Sequence, residues 1–425
     1  MDNTQVNVKS QEAVANELDS TKTKKFVKFS EKKEASLKLC EFASRTITLA
    51  ALGYDIEGIE GCVVPKSPYM TYATLKRIRD CSSWVIFATP ENFEKLKKFK
   101  GYVCEHAFCP ICAAYRSRRD GLKYSVMMDA AQDLKYTDVL ECYGEDVAYV
   151  PSIIKAMEKG VEYVLFELTT PNVKGDKLKE EYKRYSKAFH NLRRWLEREF
   201  PEYLGFIRKL EVTYNKQKVI TQDMWDGTGK YNSPWKYKLR RMGLKVGDRN
   251  PYYDTYHPHY HVIMAVTPDF FYTDDEGNEC KKITRELLLE KWRHYMGDPS
   301  ITQVHIQKVY KVLCEGNSAT AEIGKYVAKD SDYLHSPKVF KVFYESLKGV
   351  QRVTYGGIFK VMHKLFEERK LDMYCPIDET VYKWLIDYRW AKKSYKEKVR
   401  WELTAEESDI IAGLMYYEAN DTDDF

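Results

Sequence analysis

Two hydrophobic periodicities alternate through the middle of the chain, from about residue 158 to 335. The run VEYVLFELTT (161–170) is largely apolar, rich in β-branched and aromatic residues, and ends at Pro171, which predicts a buried strand. From Lys177 to Phe200 the period changes. Leu178, Tyr182, Tyr185, Phe189, Leu192, Leu196 and Phe200 fall at helical spacing, with Lys and Arg on the opposite side. LGFIRKLEVTYN (204–215) and HPHYHVIMAV (257–266) predict two more strands. ITRELLLEKWRHYM then predicts a helix, ITQVHIQKVYKVL a strand, and SATAEIGKYVAKDSDYL a helix. This order of elements implies an α+β domain whose helices pack on a largely antiparallel sheet.

The flanks read differently. Residues 1–30 are polar and aperiodic and are expected to be a disordered tail. Residues 31–155 mix short apolar runs (TITLAALGY, WVIFATP) with most of the cysteines, and 336–425 are aromatic and charged, predicted to be mostly helical with an acidic tail. A length of 425 residues exceeds the roughly 250–300 that one core supports, so two or three domains are expected. Lys and Arg total 68 against 63 Asp and Glu, a net charge of +5, which excludes a uniformly basic surface and leaves local segregation as the route to nucleic acid. Aromatic residues at 14% argue against wholesale disorder. No run reaches the roughly 18–20 apolar residues of a membrane span, and the N-terminus lacks a secretory apolar segment. A reducing cytoplasm is therefore expected, where ten cysteines bind metal or lie buried more readily than they pair.

The strongest chemical signal is His257-Pro258-His259-Tyr260-His261 at the head of a strand. Alternation puts His257, His259 and His261 on one face, where imidazoles can share a divalent cation. Mg²⁺ or Mn²⁺ acting on phosphate prefers some oxygen ligation, and Glu211 on the preceding strand reaches the site if the two strands pair. A second signal is Glu322, Tyr326 and Lys329, whose offsets place them along one stripe of a helix. A phenol beside a bound cation can attack a phosphodiester, Lys329 would add positive charge where negative charge develops, and a carboxylate one turn before the phenol can act as a base.

FELTTPN (166–172), HPHYHVIMAV and GKYVAKDSDY resemble, in that order, the three motifs of HUH endonucleases, and most closely those of plasmid rolling-circle replication initiators, the Rep family. CEHAFCPICAAYRSRR (104–119) is similar to that family's Cys-rich segment, and RKLEVTYN to the strand before its His motif. The resemblance covers about 100–335 and implies an antiparallel-sheet HUH domain of RRM/ferredoxin-like type at 156–335. It implies that Tyr326 cleaves one strand at the plasmid double-strand origin, leaving a 5′-phosphotyrosyl link and a 3′-OH primer. His259 and His261 would be paired metal ligands, with Glu211 the third and His257 its competitor. Glu322 would activate water for a second cut at termination. Tyr333 is expected in the core rather than as a second nucleophile. Host helicase and polymerase are the implied partners, besides partly single-stranded plasmid origin DNA, and no membrane. A mobilisation relaxase or HUH transposase would share this chemistry; a non-catalytic, zinc-containing regulator would leave the His strand and Tyr326 without a purpose.

Cys104, Cys109 and Cys112, with His106 between them, have the spacing of a structural Zn²⁺ site, and His106, Cys81 and Cys142 compete for the fourth position. Arg116, Arg118 and Arg119 follow directly and suit phosphate contacts. Between the Glu211 strand and the His strand, Lys236, Lys238, Arg240 and Arg241 interleave with Trp225, Trp235 and Tyr237 in a lobe suited to extruded or single-stranded origin DNA.

Overall fold

A computed structural model describes residues 24–44, 70–133, 151–228, 231, 233–309 and 328–414. The chain divides into two compact units, one of Met1–Arg119 with Cys375–Phe425 and one of Asp120–Tyr374.

In the first unit, helices α1 (Lys24–Ser44) and α2 (Tyr72–Asp80) precede strands β1 (Trp84–Thr89) and β2 (Lys97–Gly101). Helix α3 (Pro110–Gln132) starts here and continues into the second unit. Helix α1 therefore begins inside the segment expected to be a tail. The unit is completed from the C-terminus by β10 (Trp384–Ala391), β11 (Ser394–Glu402) and helix α12 (Ala405–Gly413). The expectation of a mostly helical C-terminal region is thus corrected: residues 384–402 form an antiparallel hairpin that joins β1 in a sheet of order β11-β10-β1-β2. Its two-residue loop, Lys392-Lys393, has φ values of 47° and 64°, the left-handed pair that a tight hairpin requires. Val85, Phe87, Ile386, Tyr388 and Tyr395 form the core beneath this sheet, so the tertiary partner of 384–402 lies some 300 residues upstream.

The second unit contains α4 (Pro151–Lys159), β3 (Glu162–Thr169), α5 (Leu178–Glu199), β4 (Tyr203–Asn215), α6 (Gln222–Asp226), α7 (Ser233–Arg241) and β5 (Thr255–Val266). It continues through the small hairpin β6 (Phe271–Thr273) and β7 (Glu279–Lys281), then α8 (Arg285–Met296), β8 (Val304–Val309) and α9 (Asp330–Tyr333). Helix α10 (Pro337–Leu347), β9 (Val353–Gly357) and α11 (Ile358–Glu367) complete it. The sheet order is β8-β3-β5-β4-β9, with every pair antiparallel. Tyr185 and Phe189 of α5 and Trp292 of α8 cover one face, meeting Tyr260 and Phe206 and one another edge-on. On the other face Tyr163 donates to the Met128 carbonyl and packs on Phe359, and Tyr124 meets Tyr355.

Strands β4 and β9 approach so closely that a Cβ at Gly357 (φ 54°) would sit 2.0 Å from the Leu204 carbonyl oxygen. Among the described residues no helix is long and apolar enough to cross a membrane.

Candidate functional site

Register brings the chemistry together. In the β4–β5 pair Glu211 lies opposite His259, Lys209 opposite His261, and Thr213 opposite His257. Across β3, Glu167 lies opposite His261 and Thr169 opposite His259. Directly opposed residues share a face, so the two histidines are flanked by a carboxylate on either side. Glu211 Oε2 is 3.0 Å from His261 Nε2 and 3.4 Å from His259 Nε2, and all three residues are buried. Metal–ligand bonds of about 2.1 Å put neighbouring donor atoms about 3.0 Å apart at a right angle and about 3.4 Å apart at a tetrahedral angle. Each observed separation is one that two donors of a single cation would show. The Glu167 carboxylate forms a further group with His259 and His261, with the donor atoms all within 4.8 Å of one another.

Glu167 was missed by sequence reading. It lies in the FELTTPN motif as a charged residue between Phe166 and Leu168 of a buried strand; the β3–β5 register supplies its partners. His257 lies one row further along, its ring stacked on that of His259 at 5.3 Å.

The electrostatics are mutual. Burial opposes ionisation of Glu211, but hydrogen bonds from His259 and His261 outweigh it and hold the carboxyl well below its usual range. Burial likewise opposes protonation of His259, and Glu211 overrides it, so its imidazole is raised. For His257, lost hydration, then His259 and Lys238, outweigh a weaker pull from Glu211 and bring it down to about 3. Lys209, buried beside His261, lies 3.5 Å from Asp120. Among the described residues His261 Nδ1 has no hydrogen-bond partner, while its Nε2 meets Glu211.

Glu322 and Tyr326 lie outside the described residues. The single helical stripe expected to include Lys329 is corrected, because Lys329 is extended (ψ 138°), exposed, and the N-cap of a new short helix, α9. The Tyr214 N–H donates to Asp332 at 3.3 Å and Lys216 pairs with it at 3.8 Å, fixing α9 to the end of the strand that carries Glu211. Tyr333 is buried against Phe340 and Phe343.

A family model described as "Replication protein" matches residues 143–396. The chain belongs to that family, the Rep initiators of plasmid rolling-circle replication. The "Protein rep" of Staphylococcus aureus is 31% identical over 257 residues, covering 60% of this chain and 82% of the relative. The "Protein rep" of Bacillus amyloliquefaciens is 23% identical, covering 68% and 72%, and that of Lentilactobacillus hilgardii 21%, covering 77% and 88%. No solved structure matches the chain.

The lobe of this Rep-family chain sits between Asn215 and Thr255, the last pair of the β4–β5 ladder, at the end of the ladder nearest His257. Ile220, Met224 and Leu239 give it a small core. Lys238, Arg240 and Arg241 are exposed on α7, with Lys238 over the Tyr252 ring at 4.1 Å and Arg240 over Trp225 at 5.3 Å; Lys236 is half-buried on the same helix. Trp235 belongs to α7 by its backbone. Tyr237 is 68% exposed, as a base-stacking residue would need to be.

In the first unit the Sγ atoms of Cys81, Cys104, Cys109 and Cys112 lie within 4.8 Å of one another, and Cys112 is 3.6 Å from both Cys81 and Cys104. Cys81 caps α2, while Cys109 and Cys112 flank the start of α3, with Pro110 at its first position. Four sulfurs complete a tetrahedral set, so His106 is not needed, and its Nδ1 accepts instead from the Phe108 N–H. Cys142 lies outside the described residues. Hydrogen bonds among the thiols push Cys81 and Cys104 up; for Cys109, burial is outweighed by its partners and the thiol falls well below its usual value. Arg116 donates to the carbonyls of Glu105 and His106 and so holds the loop between the cysteines, while Arg118 and Arg119 are exposed.

Proposed function

We propose that this initiator nicks one strand of the plasmid double-strand origin, with Tyr326 as nucleophile and a divalent cation held by His259, His261 and Glu211. The observation that carries this reading is the pair of imidazoles meeting one buried carboxylate at 3.0 and 3.4 Å, with a second carboxylate, Glu167, on the other side. His259, His261 and Glu211 would hold the Mg²⁺ or Mn²⁺, which would supply Lewis-acid polarisation of the non-bridging phosphate oxygens. Glu211 keeps both rings oriented and unable to swing away, and Lys209 with Asp120 fixes the strand beside them. As the Tyr326 phenol gives up its proton, its oxygen bonds to phosphorus while the P–O3′ bond breaks, and the departing 3′ oxygen takes up a proton to become the primer. Ala328, two residues along the chain from Tyr326, is buried, and α9 is tied to β4 by the hydrogen bond from the Tyr214 N–H to Asp332. Lys329 is exposed three residues from the phenol, open to a phosphate. The basic face of α7, with Tyr237, receives unpaired bases and backbone. Glu322 would activate the water that cuts the displaced strand at termination. The four cysteines hold a structural Zn²⁺ outside this chemistry.

Incubation with a labelled single-stranded origin oligonucleotide and Mn²⁺ tests the reading. A covalent adduct is expected from the parent protein and none from Tyr326→Phe. An adduct that persists in the Phe variant removes Tyr326 from its role, and no adduct from the parent leaves DNA binding as the protein's only activity at the origin.

A further inference from the structure

The sheet of the first unit has two unlike faces. One covers the core that includes Val85 and Ile386. On the other, register places Trp84 opposite Arg389 and Arg389 opposite Lys396. The next row of that face holds Ile86, flanked by Lys100 of β2, and Val399 of β11; Trp401 lies one row further. Helix α12 covers the end of this face at Ala88, where Ile411 packs. Elsewhere the face is open among the described residues. Trp401 is 44% and Val399 39% exposed, Arg389 and Lys396 are exposed, and Trp84, Ile86 and Lys100 are half-buried.

Charge on this face is one-sided. Its single acid, Asp387, is buried and held by Arg389 at 2.7 Å, and the same guanidinium lies over the Trp84 ring at 5.4 Å. Lys100 and Lys396 have no ion-pair partner among the described residues, nor have the exposed Lys392 and Lys393 of the hairpin loop. Lysines on an edge strand commonly serve to block strand pairing, and Lys398, the extra residue of the β11 bulge, meets that need here. That duty does not explain indole and apolar side chains left open between amines on the broad face. Cations beside exposed flat rings are what a single nucleic-acid strand takes, its phosphates on the amines and its bases on the rings. A duplex keeps its bases stacked inside and would leave the indoles unused. We propose that this face of the β11-β10-β1-β2 sheet is a second site for single-stranded DNA, with Trp84 and Trp401 stacking on bases and Lys100, Arg389 and Lys396 meeting phosphates. Stacking accepts every base, so the site holds a strand of any sequence. It shares no residue with the α7 lobe or the His259–His261 face, and it rests on the family's replication role, not on the nicking chemistry.

The full-length protein is titrated into a fluorescein-labelled oligothymidylate without added divalent cation, and anisotropy gives the affinity. The same series is run with Arg240 and Arg241 both changed to Ala, which weakens the contribution of the α7 lobe. An oligonucleotide carrying photoreactive iodouridine, cross-linked and mapped by peptide mass spectrometry, gives the place. Cross-links at Trp84 or Trp401 are expected. Trp401→Ala should weaken binding by about 5–150-fold, the usual loss of one stacked base, and Trp401→Phe should stay within a few-fold of the parent. Lys100→Ala combined with Lys396→Ala should lower the salt slope by about 1.4, from about 0.7 for each phosphate released. If Trp401→Ala does not fold, the lysine pair and the cross-links decide. Cross-links confined to the α7 lobe, or an affinity and salt slope unchanged in every variant of the sheet, would overturn the site. Losses seen only with a duplex would overturn its assignment to single strands. A parent protein that forms no covalent adduct on origin DNA but gives these cross-links would lose the nicking reading and keep this one.

Discussion

Replacing Glu211 by Ala tests the His259–His261 face without any DNA. In the metal-free protein this one carboxylate accepts from both imidazoles, at 3.0 and 3.4 Å, and all three side chains are buried. Removing one partner of a buried charged pair costs about 3–5 kcal/mol, because the groups left behind lose a counter-charge they cannot replace with water. At about 2–4 °C per kcal/mol for a domain of this size, the transition of the second unit should fall by roughly 6–20 °C. Metal adds a second reading. A cation at a hundred times its Kd stabilises the folded state by about 2.7 kcal/mol, and this increment should shrink towards zero in the variant at the same Mn²⁺ concentration. Thermal denaturation followed by tryptophan fluorescence, with and without Mn²⁺, gives both numbers. The sign with pH is fixed as well. The depressed Glu211 carboxyl contributes stability above its ordinary value of 4.5 that is lost as pH falls through the folded-state value. The raised His259 contributes fully below 6.5, and that contribution is lost as pH rises through its folded-state value. A variant within about 1 kcal/mol of the parent that keeps the whole Mn²⁺ increment would refute the reasoning, since Glu211 would then neither hold the imidazoles nor bind the cation.

Further outcomes follow from other parts of the molecule. Because His259 holds its proton to higher pH than an ordinary imidazole, Mn²⁺ must displace it; affinity measured by calorimetry should rise from pH 6 to 8 with proton release, and a flat profile would exclude His259 as a ligand. Glu167→Ala, which leaves the Glu211 contacts intact, should weaken Mn²⁺ with little loss of metal-free stability; unchanged affinity would confine the site to Glu211 and the two histidines. Exposed Arg240 and Arg241, changed together to Ala, should lower the salt slope of single-stranded DNA binding by about 0.7 for each phosphate no longer neutralised, read from fluorescence anisotropy across a salt series. Gly357→Ala forces a Cβ to within 2.0 Å of the Leu204 carbonyl and should cost roughly 2–4 kcal/mol by urea unfolding; a neutral result would mean that β9 can move off β4 freely.

Local pattern alone determined a good deal. The strand at 161–170, the helix from 177 to 200 and the two strands bearing Glu211 and the histidines follow from periods that a few adjacent residues carry, and they fold within two residues of the expected limits. The shared face of His257, His259 and His261 is a property of one strand and needs no partner. The hairpin at 384–402 was not legible. Much of β11 is exposed, so its alternation carries little apolar contrast, and its turn is Lys-Lys rather than a glycine or asparagine pair.

What only tertiary structure decided is register and long-range company. Glu167 reaches His261 because β3 and β5 pair with those residues opposite, and a slip of one position would turn it to the other face. Cys81 joins the CPIC cysteines because α2 ends beside the start of α3. Periodicity records which side of an element is buried, a matter of neighbours in the chain. Which buried groups face one another is fixed by the pairing and packing of elements far apart in sequence, and there the candidate metal sites of this Rep initiator take their shape.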